Sequence, residues 1–158
     1  MPDLVVLRNL DLCPGGRMNR ASATQQDKHV IFKTAYQNIT HYREQKNFIA
    51  AYIIAFSLIE DRVRAMFVVR HSTATGTKPT ISKINGSFAN HVRQLSKSSD
   101  ISSEDSSRLL EEAKQRNELL HAAMWNLNAF TEGSVDRVTK LSRVVDACLR
   151  KQKKEVDS

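Results

Sequence analysis

Phe48-Ile49-Ala50-Ala51-Tyr52-Ile53-Ile54-Ala55-Phe56-Ser57-Leu58-Ile59 is a run of 12 residues without a charge, in the first half of a 158-residue chain. Its apolar side chains do not alternate with polar ones, so it reads as a helix that is apolar nearly all round and therefore central in the fold. About 20 such residues would be needed to cross a bilayer, so the run falls short of a membrane span. Beyond it, Glu60, Asp61, Arg62 and Arg64 make the segment amphipathic, with Val63, Met66 and Phe67 still facing inward. The pattern predicts one helix over about 46–70, buried in its first half.

Helical spacing continues on both sides. Val30, Ile31, Thr34, Ile39 and Tyr42 give a first helix over about 25–42, and the polar cluster 43–47 that follows is either a tight turn or a helical bridge. Residues 72–79, closing on Gly76 and Pro79, read as a loop; Thr80 then caps a third helix to about 97, with Gly86 inside it at some cost. Ser98, Ser99 and Asp100 make a second break. Ser102 or Ser103 caps a fourth helix running to about 130, with Glu104 and Asp105 favouring its start. Ser134 caps a fifth, in which Val135, Val138, Leu141, Val144, Val145 and Leu149 recur at helical spacing. The expected architecture is all-α, an up-and-down bundle of four to five helices over 25–150. Residues 1–24, with Leu4-Val5-Val6-Leu7 and the breaker Pro14-Gly15-Gly16, read as a partly disordered arm, and 151–158 as a basic tail.

Composition narrows the function classes. Five glycines and three prolines argue against a turn-rich β-fold, and the length suits one domain with a full core. The formal net charge of +7 favours a polyanionic partner, although part of it sits in Arg150-Lys151-Gln152-Lys153-Lys154. Cys13 and Cys148 have no metal-type spacing and read as free thiols of a cytoplasmic protein. Leu4-Val5-Val6-Leu7 is too short for a secretory core. Glycine-rich phosphate loops, nucleophile elbows and paired-carboxylate motifs are not visible, and His29, His41 and His91 lack metal-ligand partners at useful spacing. No cofactor or metal is expected.

The candidate site lies in Lys114-Gln115-Arg116-Asn117-Glu118-Leu119-Leu120-His121 of the fourth helix. With Leu120 at the centre of the apolar stripe, Leu109, Ala113, Met124 and Leu127 fall within roughly 40° of it at ~100° per residue. Arg116 falls there too, at about −40°, and His121 near +100°, at the stripe's edge. A guanidinium in an apolar stripe is costly unless it is paired or lines a cleft or interface. The spacing alone says little: 13 arginines and five histidines in 158 positions give about 0.4 such pairs by chance. Arg64 and His71, seven apart at the end of the second helix, form a similar pair that runs straight into a loop. Trp125 reads as a dimer contact or a surface aromatic over an RNA strand, with burial the commoner fate of such a residue. Asn126 either lines the same cleft or is solvated.

From Lys28 to Leu149 this order of elements resembles the HEPN family, most specifically in Arg116-Asn117-Glu118-Leu119-Leu120-His121 and in Phe56-Ser57-Leu58-Ile59-Glu60. The resemblance implies a metal-independent endoribonuclease that works as a homodimer, with two Arg–His helices facing each other across a cleft. It assigns phosphate binding to Arg116, proton transfer to His121, orientation of the cleft to Asn117 and support of Arg116 to Glu60. RNA is then the substrate, because it carries the 2′-hydroxyl that serves as internal nucleophile. The implied biology is a toxin or defence effector, partnered by an antitoxin or a nucleotidyltransferase. Ala123 stands where some toxin members carry a tyrosine that a partner nucleotidylates, which puts that route of control in doubt. The alternative is a non-catalytic helical module that dimerises or binds a protein or nucleic acid, with Arg116 pairing an acid such as Glu60 or Glu112.

Overall fold

A computed structural model describes residues 25–156, all of whose regular structure is helical. The arm expected over 1–24, including Cys13, lies outside the described residues. Six helices follow in order: α1 (Gln25–Glu44), α2 (Phe48–Thr75), α3 (Ile81–Ile84), α4 (Phe88–Lys97), α5 (Ser103–Ala123) and α6 (Glu132–Val156), with a 3₁₀ turn at Leu127–Ala129. Among the described residues no helix is long and apolar enough to cross a membrane.

The bundle is organised around α2. It packs against α1, α4 and α6 and buries Ala51, Tyr52, Ala55, Phe56, Leu58, Ile59, Val63, Met66 and Phe67. Ile53 and Ser57 are exposed within the charge-free run; Ile53, 45 % exposed, faces a groove shared with Ile31 and Phe32 of α1. An aromatic cluster ties the start of α4 and the segment before α6 to this helix. Tyr52 meets Phe130 edge-on at 5.0 Å between ring centres, and Phe56 meets Phe88 at 5.7 Å.

The helix ends show where local chemistry departs from periodicity. The cluster 43–47 is a tight turn: Asn47 donates to the Tyr42 carbonyl at 2.8 Å and Lys46 to that of Arg43 at 2.9 Å. This is the Schellman pattern, with Lys46 in the left-handed position (φ 56°) usually given to glycine. α2 runs past the expected loop start to Thr75 and stops at Gly76, whose φ of 67° lets its N–H reach the Ser72 carbonyl. The single helix expected over 80–97 is two helices. Ser87 accepts from the Asn90 N–H and starts α4 afresh, and an added Cβ on Gly86 would lie 2.9 Å from His91 Nε2.

The helix expected to reach about 130 stops at Ala123. Asn126 turns the chain there, its side chain accepting from the Asn128 N–H at 2.9 Å. Ser134 is not the cap of the last helix, which begins two residues earlier. Thr131 Oγ1 accepts from the Ser134 N–H and Ser134 Oγ from the Thr131 N–H, a reciprocal capping pair. The basic run after Arg150 continues α6 to Val156, and Gln152 in it is buried, donating to the Met66 carbonyl at 3.2 Å.

Candidate functional site

Arg116 sits in the third quarter of α5, a helix started by Ser102, which accepts from the Asp105 N–H. The stripe is not centred on Leu120, which is 41 % exposed, while Met124 beyond it is 74 % exposed. Leu109, Glu112, Arg116, Leu119 and Ala123 instead span an arc of roughly 80° at ~100° per residue. Leu109 and Glu112 are buried, and Leu119 and Ala123 pack against the core. Arg116 is therefore at the middle of the inward arc rather than off to one side.

Its charge is met there. Arg116 Nη1 donates to Glu60 Oε1 of α2 at 2.8 Å, and Nε and Nη2 donate to Asn117 Oδ1 at 3.3 and 3.2 Å. The guanidinium carbon stands 4.5 Å above the centre of the Phe56 ring. A guanidinium carries five N–H donors, so these bonds leave one on Nη1 and one on Nη2 unused. With 31 % of its side chain exposed, Arg116 presents that edge to solvent. The result is a cation fixed in position on three sides and open on the fourth.

His121 is exposed in the last turn of α5, and its side chain makes no hydrogen bond or ion pair among the described residues. Five residues separate it from Arg116, which is about 140° around the helix and roughly 7.5 Å along it. One chain thus directs the two groups to different sides of α5. Near His121 three large apolar side chains, Leu120, Met124 and Trp125, are exposed, Trp125 by 89 %. Trp125 has escaped the burial that is the usual fate of a tryptophan. Asn126 is committed to its turn through Asn128.

A second polar group on the inward arc was not legible beforehand. Glu112, one turn before Arg116, is 3 % exposed and does not pair with Arg116. It accepts from Tyr52 Oη at 2.7 Å and from Arg137 Nε and Nη2 of α6 at 2.7 and 3.3 Å. Burial and then the bond to Glu112 push the Tyr52 phenol well above its ordinary range, and the same carboxylate raises Arg137. The one sequence signal was Glu112 itself, a carboxylate four residues from an arginine on the same inward face. Glu112 closes the floor of a groove of about 490 Å³ between α5 and α6, walled by Arg108, Lys140, Leu141 and Val144.

Among the described residues no three His, Cys, Asp or Glu side chains stand together as a metal site. No protein-family model, curated protein or solved structure matches the chain.

Proposed function

We propose that this chain is a metal-independent endoribonuclease of the HEPN type, acting as a homodimer in which the α5 helices of two copies face each other. Its biological role would be that of a toxin or defence effector. The observation that carries the reading is the state of Arg116: a guanidinium centred on a buried arc, held by Glu60, Asn117 and the Phe56 ring, with donors left free at its exposed edge. A guanidinium so fixed suits a phosphodiester, whose equatorial oxygens gain charge in the transition state.

In the proposed reaction a His121 imidazole takes the proton of the ribose 2′-hydroxyl as that oxygen attacks phosphorus. The P–O5′ bond breaks, the leaving oxygen takes a proton from water, and the His121 imidazolium returns its proton to the hydroxide so formed. The products are a 2′,3′-cyclic phosphate and a 5′-hydroxyl, with no change of oxidation state. Arg116 holds the phosphate throughout; Glu60 and Asn117 are positioning residues that act through it. The exposed Leu120, Met124 and Trp125 suit a seam between two copies, which the separation of Arg116 from His121 around the helix requires. The formal charge of +7 suits an RNA partner.

The test is incubation of the purified protein with end-labelled single-stranded RNA in EDTA, followed by end-group analysis. Cyclic-phosphate ends, absent with Arg116→Ala and His121→Ala variants of unchanged helical circular dichroism, are the expected result. Cleavage that survives both substitutions, or that needs a divalent cation, overturns the mechanism. One observation favours a non-catalytic module instead: the Glu60 carboxylate already offsets the Arg116 charge. On that reading no RNA is cut, and Arg116→Ala weakens self-association instead.

A further inference from the structure

A different set of side chains converges where the end of α2 meets α3 and α4. Phe67, His71, Ser82, Lys83, Asn90 and Gln94 line a cavity of about 390 Å³ there. Its frame is rigid. His91 is 4 % exposed, stacks on Phe67 at 4.2 Å between ring centres, and has Nε2 3.0 Å from the Lys83 carbonyl. A carbonyl only accepts, so Nε2 of His91 is the donor, and this bond pins α3 to α4 with Lys83 at the cavity.

His71 fills in the wall. Its Nδ1 lies 3.4 Å from the Thr77 carbonyl and 3.2 Å from Thr75 Oγ1. Its Nε2 lies 3.5 Å from Lys83 Nζ, and an ammonium only donates. Lys83 therefore rests against an imidazole nitrogen at the outer limit of hydrogen-bonding length. It has no ion-pair partner among the described residues, and no carboxylate lines the cavity. Beside His71 and His91, whose Nε2 is spent on the Lys83 carbonyl, the polar side chains on the wall each bring a donor: the Lys83 ammonium, the Ser82 hydroxyl, and the carboxamides of Asn90 and Gln94.

A small concave site with one unpaired cation, several neutral donors and no acid is suited to a compact oxyanion. We propose that this cavity binds a phosphate group, presented by free phosphate or by a nucleic-acid backbone. Lys83 supplies the charge, Ser82, Asn90 and Gln94 the further hydrogen bonds, and Phe67 the apolar back wall. The site lies on elements other than α5, and its existence does not depend on RNA cleavage there.

The test follows the His71 ring signals by NMR in the full chain while inorganic phosphate is added. Saturable shifts that chloride at matched ionic strength does not produce are expected. Lys83→Ala, at an exposed position, should weaken binding at least about tenfold, the loss of one charge-assisted bond. Gln94→Glu, which places a carboxylate in the cavity, should abolish it with the fold intact. Shifts that match those with chloride, or that persist unchanged in both variants, overturn the proposal. A short single-stranded RNA and its uncharged methylphosphonate analogue identify the source. RNA that saturates the same signals at lower concentration than phosphate, while the analogue does not, assigns the site to a nucleic-acid backbone. RNA no better than phosphate assigns it to the free ion. Because Arg116→Ala leaves this cavity intact, a failure of the α5 chemistry and a failure here are read separately.

Discussion

Arg116 of α5 and Glu60 of α2 meet at 2.8 Å above the Phe56 ring, a side-chain bridge between two helices 56 residues apart in sequence. Both side chains are about a third exposed, so the pair contributes less to stability than a buried one. Its consequence is positional, since a long flexible arginine is confined to one place on the surface. Glu60→Gln keeps an acceptor but removes the charge. We expect less than about 1 kcal/mol of lost stability. RNA cleavage should fall about ten- to hundredfold, the equivalent of one charge-assisted bond. Thermal unfolding and single-turnover cleavage separate the two; unaltered cleavage with Glu60→Gln would show that Arg116 needs no support from α2.

How much of this was readable from the chain depends on the distance over which each feature is decided. The charge-free run 48–59 announced α2 as the central helix because burial on all sides leaves no room for charge. The phase of α5 differs from the sequence pattern because Met124 and Leu127, which continue that pattern, lie beyond the end of the helix at Ala123. Without them the centre of the stripe moves from Leu120 toward Arg116. The break at Gly86 was invisible for a related reason: a lone glycine tells of local freedom, not of a histidine ring packed against it from α4. Glu60 is one of the two acids that the sequence offers Arg116 as a partner. The Tyr52–Glu112–Arg137 group has no such sign, since it needs three helices brought together from 60 and 25 residues away.

That group has a pH signature. Tyr52→Phe leaves the buried Glu112 carboxylate with Arg137 alone, and should cost about 1.5–3 kcal/mol near neutral pH. The Tyr52 phenol and the Cys148 thiol are both pushed up, chiefly by burial. A group raised in the folded state stabilises fully below its unfolded pKa, and that stability is lost as pH rises toward the folded value. The window therefore opens near pH 8.5 for the thiol and about 10 for the phenol. Denaturant unfolding of the wild type should show stability falling above about pH 9, and less steeply in Tyr52→Phe. An equal fall in the variant would mean that Tyr52 ionises as easily folded as unfolded.

Gly86 is tested by its smallest substitution. Its backbone is not in the left-handed region, so alanine would be neutral or mildly favourable if there were room. There is not: the new Cβ would stand 2.9 Å from His91 Nε2 and 3.1 Å from the Lys83 carbonyl. His91 is buried against Phe67 and cannot swing aside cheaply. Gly86→Ala should lower stability by about 1–2 kcal/mol, or roughly 2–8 °C in Tm. Against a His91→Ala background, which removes the ring, the same substitution should cost clearly less, because only the 3.1 Å approach to the Lys83 carbonyl remains. Equal losses in both backgrounds would place the strain elsewhere.

The separation of Arg116 from His121 makes the proposed homodimer testable. At about 140° around one helix, the two groups of a single chain point to different sides. On the proposed reading a working site takes Arg116 from one copy and His121 from the other, and each dimer holds two such sites. Dimers of the Arg116→Ala variant then lack Arg116 in both copies and dimers of the His121→Ala variant lack His121 in both, so both are inactive alone. In a mixed dimer one site combines the intact Arg116 of one copy with the intact His121 of the other. Co-refolding equal amounts should make half the dimers mixed, each with one good site of two, and restore about a quarter of wild-type cleavage. Met124→Glu together with Trp125→Glu in both copies, placing charge in the exposed apolar seam, should yield monomers by light scattering and no restoration. Cleavage by mixed dimers no greater than the sum of the two inactive parents would instead put Arg116 and His121 to work within a single chain.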